Sequence, residues 1–296
     1  YSHGAGNRPV LFLADAPSRI RLSAPKPQPN SSFSRNPFTC SHVHINIHPP
    51  PARSIRAPRP SAPCAAFPIC AAHSICGLAA GGGFWYDAVM VTILDYGAGN
   101  LTSVCLAFER LGVRPRVIAE AAAYEGGHVV FPGVGSAASG MEGLRARGFD
   151  RLLRETAAGG VPTLGICLGM QLLLEHSQED GGTPGLGLIA GECLRFDAAL
   201  EPTAKIPHMG WNTVHHTAHP LFAGIAQDEA FYFVHSYYVR PAAASAILGR
   251  TDYCGVTFAS AIGQGSLVAT QFHPERSGAA GAKLLANFLA WGGVCC

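Results

Sequence analysis

One turn constrains this chain more than any other feature. An apolar run, Val161–Ile166, meets a helix-period stretch over 168–175 through Gly165-Ile166-Cys167-Leu168-Gly169. A strand that feeds a helix through so short a turn needs small residues on both sides of the bend, and the two glycines supply them. The turn sets a thiol at the start of a helix, where free N–H groups and the helix dipole favour a thiolate and an oxyanion. A cysteine in such a turn also fits plain core packing. The functional reading needs a base and an oxyanion site elsewhere in the sequence.

From Met90 onward the same strand–helix alternation recurs. Val91–Leu94 reads as a buried strand, and the turn Gly97-Ala98-Gly99-Asn100 follows it. Leu101–Leu111 carries apolar residues at helical spacing. Arg116–Ala119 and His128–Phe131 read as strands, Ala138–Ala146 and Asp150–Ala157 as helices. After Gly187 the strands shorten and take on antiparallel character, and Gly278–Trp291 closes the pattern as a helix with one apolar face. This rhythm predicts an α/β fold with a mainly parallel sheet flanked by helices. No uninterrupted apolar run is long enough to span a bilayer.

Residues 1–89 are different material. They hold 13 of the 22 prolines, and residues 1–90 carry eight Lys/Arg against only Asp15 and Asp87. Such a segment is expected to stay disordered. The first methionine is Met90, directly ahead of the first strand, so residues 1–89 are expected to be upstream sequence read through. The rival reading is an organellar transit peptide, which its Arg/Ser-rich, acid-poor composition fits. Dense Pro and Cys, and an amphipathic helix that is hard to draw, favour read-through. The remainder, 90–296, is expected to form the functional domain. Its 17 acidic and 13 basic residues leave no broad basic stretch for nucleic acid.

Ten cysteines form no recognisable disulfide framework, which suits a reducing, cytoplasmic setting. Cys40, Cys64, Cys70 and Cys76 lie in the extension. Cys40-Ser41-His42-Val43-His44, with His48 beyond, matches no common zinc spacing, so no metal site is expected. Cys105, Cys193 and Cys254 sit among apolar residues and read as buried thiols; Cys295 and Cys296 read as a frayed end.

Two further segments complete a possible site. In Gln271-Phe272-His273-Pro274-Glu275, residues two apart in an extended chain point to the same side. Glu275 can then hold one nitrogen of His273 while the other faces a thiol. Without Cys167, a surface histidine beside a solvated glutamate would be the better reading. Pro132-Gly133-Val134-Gly135 follows the strand ending at Phe131, at the sheet edge where ligands bind in α/β folds. It could turn a peptide N–H toward a substrate oxygen; alone it is an ordinary βα turn.

Gly165–Gln171 with His273-Pro274-Glu275 resembles the class I (triad) glutamine amidotransferases, whose sheet is flavodoxin-like. Leu94–Leu101, Pro132–Gly135, Pro207-His208-Met209-Gly210-Trp211-Asn212 and Tyr232-Phe233-Val234-His235-Ser236-Tyr237 narrow the match. Together they resemble the glutaminase subunits of imidazole glycerol phosphate synthase, in histidine biosynthesis. The resemblance spans Met90 to about Leu289.

The resemblance implies Cys167 as nucleophile toward L-glutamine, His273 as acid and base, and Glu275 as the carboxylate orienting it. It implies an oxyanion site from the Leu168 N–H and the Gly133–Val134 turn. Gly133, Gln171, Glu179, Ser236 and Tyr237 are implied to contact the glutamine, Glu179 suiting its α-ammonium. No cofactor is implied. A separate (β/α)₈ cyclase subunit is implied to receive the ammonia, making a heterodimer, with Gly99-Asn100, Trp211, Tyr232 and Arg276 on the partner-facing surface. The family often has Lys after His-Pro-Glu; Arg276 keeps the charge and changes the fork geometry. Three rivals stand at this point: another triad amidotransferase, a partner-independent Cys hydrolase, and a regulatory subunit that binds glutamine without turnover.

Overall fold

The computed structural model describes residues 89–293. The expectations for the N-terminal extension, and for Cys295 and Cys296, fall outside the described residues.

The described chain opens with β1 (Val91–Leu94), α1 (Leu101–Arg110), β2 (Arg116–Ile118), β3 (His128–Gly133), α2 (Ala137–Ala146), α3 (Phe149–Ala158), β4 (Thr163–Cys167) and α4 (Leu168–Leu172). Short strands follow: β5 (His176–Ser177), β6 (Thr183–Pro184) and β7 (Gly191–Arg195). The longer ones are β8 (His208–His216), β9 (Glu229–His235), β10 (Tyr237–Pro241), β11 (Ile247–Tyr253), β12 (Val256–Gln264) and β13 (Leu267–Thr270), before α5 (Gly278–Ala290).

The central strands run in the order β2-β1-β3-β4-β13, and each neighbouring pair is parallel. All four residues of β1 are buried, as a strand covered on both faces requires. Alternation along each strand divides the core into two layers. Ile93 and Val130 pack with Phe108 of α1 and Leu285 and Phe288 of α5. Leu94 and Phe131 face the other way, toward Leu144 of α2 and Leu153 of α3. Beyond β13 the sheet continues as antiparallel β12, β10 and β7, with β5 and β6 at its edge. β11 links β12 to β8, and β8 pairs with β9. Among the described residues, no helix is long and apolar enough to cross a membrane.

Four local expectations need correction. The strands after Gly187 are mainly antiparallel but do not shorten: β8 and β12 have nine residues each, against four in β1. The helix after Cys167 ends at Leu172 and not near residue 175. Amides of the 186–189 segment capture the carbonyls of Leu172, Leu173 and Leu174, which diverts the backbone from further helix. His273-Pro274-Glu275 is not an extended run: Pro274–Arg276 forms a 3₁₀ turn, closed by Arg276 N–H to the His273 carbonyl. Cys193 and Cys254 are buried as expected, but Cys105 is only half-buried.

Candidate active site

Cys167 ends β4 with φ 54° and ψ −107°, a backbone conformation that a side chain adopts only under strain. Packing enforces the turn. A Cβ on Gly169 would lie 2.0 Å from the Phe131 carbonyl oxygen, so only glycine lets α4 sit against β3. Cys167 is buried, at 7% exposure. Its sulfur lies 3.6 Å from Gln271 Nε2 and 3.9 Å from the Val234 carbonyl. Burial pushes the Cys193 thiol up to about 12, so that neighbour stays protonated and inert.

His273 Nδ1 lies 2.8 Å from Glu275 Oε1, and both side chains are nearly enclosed. The 3₁₀ turn brings them together where an extended strand had been expected. The turn is tied to β9: His273 N–H donates to the Tyr232 carbonyl, and Ser277 Oγ donates to the His273 carbonyl at 2.6 Å while accepting from the Tyr232 N–H. His273 Nε2 and Glu275 Oε2 are buried with no hydrogen-bond partner. Burial opposes charge on His273, but Cys167 and Glu275 outweigh it and raise its pKa to about 10. The site therefore favours a charged imidazole beside Cys167.

Gly133 pairs directly with Cys167 in the parallel register of β3 and β4, which sets the Gly133–Val134 turn beside the nucleophile. Gly133, Val134, Asn100, His273, Glu275 and Arg276 line one small cleft. Leu168 opens α4, so its N–H belongs to the unsatisfied helix start next to the sulfur. A larger groove lies elsewhere, between the 201–207 segment and the β11–β12 hairpin, and contains no member of the triad. Placement of reactive groups, not cavity size, marks the site.

The expected substrate contacts are less uniform. Gln171 is buried, and its Nε2 already donates to the Tyr237 carbonyl and to Gln271 Oε1, leaving its own Oε1 for a ligand. Glu179 is half-buried and accepts from Ala137 N–H at 2.8 Å, so one carboxylate oxygen caps α2. Burial raises its pKa, the Ala137 bond lowers it and Asp180 raises it again. Ser236 lies between β9 and β10, where its carbonyl accepts from Phe196 N–H; Tyr237 opens β10. On the outer surface the Arg276 guanidinium stands 5.4 Å from the Tyr232 ring, and Trp211 meets the same ring edge-on. Trp211 is 58% exposed.

Sequence reasoning assigned no role to Tyr96, Gln271, His208, His235 or Ser277. Tyr96 is buried with an unpartnered hydroxyl pressed against Gly133, where an added Cβ would lie 2.0 Å from it. Gln271 and the two histidines stood inside motifs already singled out, but nothing local to those motifs says what they touch.

Comparison with known proteins agrees with this geometry. The glutamine amidotransferase class-I family matches residues 92–291. Imidazole glycerol phosphate synthase subunit HisH of Methylococcus capsulatus is 47% identical over 210 residues, spanning 68% of this chain and 96% of the relative. HisH of Dehalococcoides mccartyi is 46% identical over 206 residues, spanning 67% and 96%. Among solved structures, a glutamine amidotransferase superposes with TM-score 0.54 at 20% identity, covering 69% of this chain and all of that one. PurLQS from Thermotoga maritima gives 0.55 at 16%, covering 68% and 98%. These two bear on the fold alone. With a strained cysteine at the end of a parallel strand, a carboxylate-held histidine beside it and relatives of this closeness, the chain belongs to the class-I glutamine amidotransferases, in the family of imidazole glycerol phosphate synthase subunit HisH.

Proposed function

We propose that this chain hydrolyses L-glutamine at Cys167 and delivers the ammonia to a separate cyclase subunit of imidazole glycerol phosphate synthase. The observation that carries the mechanism is the free, buried Nε2 of His273, with Nδ1 held by Glu275 and the Cys167 thiol nearby. Cys167 Sγ attacks the side-chain carboxamide carbon. The Leu168 N–H and the Gly133–Val134 turn hold the oxygen as it gains charge. His273 Nε2 gives its proton to the departing nitrogen, which leaves as ammonia and a γ-glutamyl thioester remains. His273 then takes a proton from water, the hydroxide equivalent attacks the thioester carbon, and glutamate and the thiol are released. Glu275 fixes the ring orientation and favours its charged form throughout.

Gln171, Glu179, Ser236 and Tyr237 orient the amino-acid end of the glutamine. Ammonia in water near neutral pH is mostly protonated and is then no nucleophile, so it must pass directly to the acceptor site. The acceptor is a (β/α)₈ cyclase that converts a phosphoribosyl-formimino carboxamide ribotide into imidazole glycerol phosphate and an aminoimidazole carboxamide ribotide. Trp211, Tyr232, Arg276 and the Gly99-Asn100 turn form the surface that meets it. The test is Cys167→Ala assayed with the cyclase. Glutamine-dependent synthesis is lost and synthesis from added ammonia persists. Full glutamine use by this variant would overturn the assignment. Glutaminase activity that does not respond to the cyclase and its ribotide would overturn the partner.

A further inference from the structure

The sulfur of Cys167 is the end of a buried hydrogen-bond chain whose direction can be deduced. A backbone carbonyl only accepts, so the Tyr237 carbonyl fixes both groups that meet it. Gln171 must present its NH₂ there, at 3.2 Å. The same NH₂ lies 3.2 Å from Gln271, which must therefore present Oε1. That leaves the Gln271 NH₂ aimed at Sγ, 3.6 Å away. Gln271 is wholly buried, and its own N–H is bound to the Ser260 carbonyl.

The other arm runs toward β8. His235 Nδ1 is 2.7 Å from the same Tyr237 carbonyl, so it carries the proton. Burial keeps both imidazoles neutral, His208 down to about 4 and His235 to about 3. In neutral His235, Nε2 accepts, so His208 Nδ1 donates across 3.0 Å. His208 Nε2 then accepts from Asn212 Nδ2 at 3.3 Å, while that amide also donates to the Asp252 carbonyl. His208 is clamped between Tyr253 and Phe233, with centroids 3.8 and 4.7 Å away. Asn212 adjoins exposed Trp211 on β8.

We propose that Gln271 is a further catalytic group, donating a hydrogen bond to the Cys167 sulfur, and that Gln171, the Tyr237 carbonyl, His235 and His208 position it from strand β8. A donor aimed at sulfur stabilises the thiolate over the thiol. A rigid, fully directed chain holds that donor on the attacking atom. The chain also gives the surface beside Trp211 a physical connection to the nucleophile.

The inference rests on Cys167 being the nucleophile, and the test separates the two. The pH dependence of iodoacetamide alkylation at Cys167, located by peptide mass spectrometry, reports the thiolate directly. The other titratable groups that feel the sulfur are His273, Tyr96 and Cys193. In Gln271→Leu the alkylation midpoint rises by about one pH unit, and kcat falls about tenfold with KM little changed. His208→Phe keeps the ring stack but removes the donor to His235, and shifts the midpoint the same way by less. His208→Asn, which places an amide N–H where Nδ1 stood, restores it. The His208 pair carries the test whether or not the Leu variant folds. A folded Gln271→Leu with an unmoved profile, or His208→Phe and His208→Asn behaving alike, overturns the proposal. Full glutamine turnover by Cys167→Ala overturns the nucleophile assignment instead.

Discussion

The parallel and antiparallel halves of the sheet treat buried polarity in opposite ways. Around β1, β3 and β4 the interior is nearly all hydrocarbon; the buried hydroxyls of Thr92 and Thr163 donate to backbone carbonyls, and that of Tyr96 has no partner. In the half built from β8 to β12, His208 and His235 are buried and linked to each other and to backbone. The dry half fixes a frame by packing, so the strained turn at Cys167 is held from several sides. The polar half fixes directions, because each hydrogen bond constrains the next. The active site lies on the seam where they meet: the parallel half contributes the nucleophile, the oxyanion turn and, on the segment leaving β13, Gln271, His273 and Glu275, while β9 contributes the Val234 carbonyl to the sulfur and the Tyr232 carbonyl to the His273 N–H.

The largest test of the seam is Glu275→Gln. Neutralising the carboxylate removes one of the two groups that favour the charged imidazole, and kcat should fall by on the order of 10⁴ with the fold intact. A loss below tenfold would mean Glu275 is packing, not orientation. The dry half is tested by Gly169→Ala. The added methyl meets the Phe131 carbonyl, so stability should drop by roughly 3 kcal/mol or more, read from denaturant unfolding. An unchanged midpoint would show that α4 shifts freely against β3.

The two halves should also respond to pH with opposite sign. The His273 pKa is raised from 6.5 to about 10 by Cys167 and Glu275 acting against burial, so the folded protein binds more protons in that window. Its stabilisation is complete below about 6.5 and is lost as pH rises through about 10. His208 and His235 are depressed by burial, so their contribution is complete above about 6.5 and declines as pH falls toward about 4 and 3. Unfolding measured across pH should show an alkaline loss that shrinks in Glu275→Gln, and an acid loss that shrinks in His208→Phe. The reverse pairing would contradict the assignment of charge states. The smallest effect is Arg276→Ala, which removes a cation over the Tyr232 ring at the surface and should cost about 0.5–1 kcal/mol.

The same division governs what could be read in advance. The parallel strands, their helices and the Gly165–Gly169 turn were legible because period and local sterics dictate them. His273 with Glu275 was legible because they are two residues apart, though the turn joining them differs from the extended geometry expected. The end of α4 at Leu172 was not, since distant amides at 186–189 compete for its carbonyls. Nor were the bonds of Gln271 to Gln171 and Cys167, which join residues 100 and 104 positions apart. Tyr96 was quoted within a motif, but its contact with Gly133 arises only when β1 and β3 align. Long-range polar contacts leave no period in a sequence.

The most direct test of the central claim is to quench the chain with acid while it consumes isotopically labelled L-glutamine beside its cyclase, then map the adduct by mass spectrometry. The account predicts a γ-glutamyl group on the Cys167 peptide that disappears as glutamine is exhausted. Turnover with no adduct there, or with the label on another side chain, would contradict it.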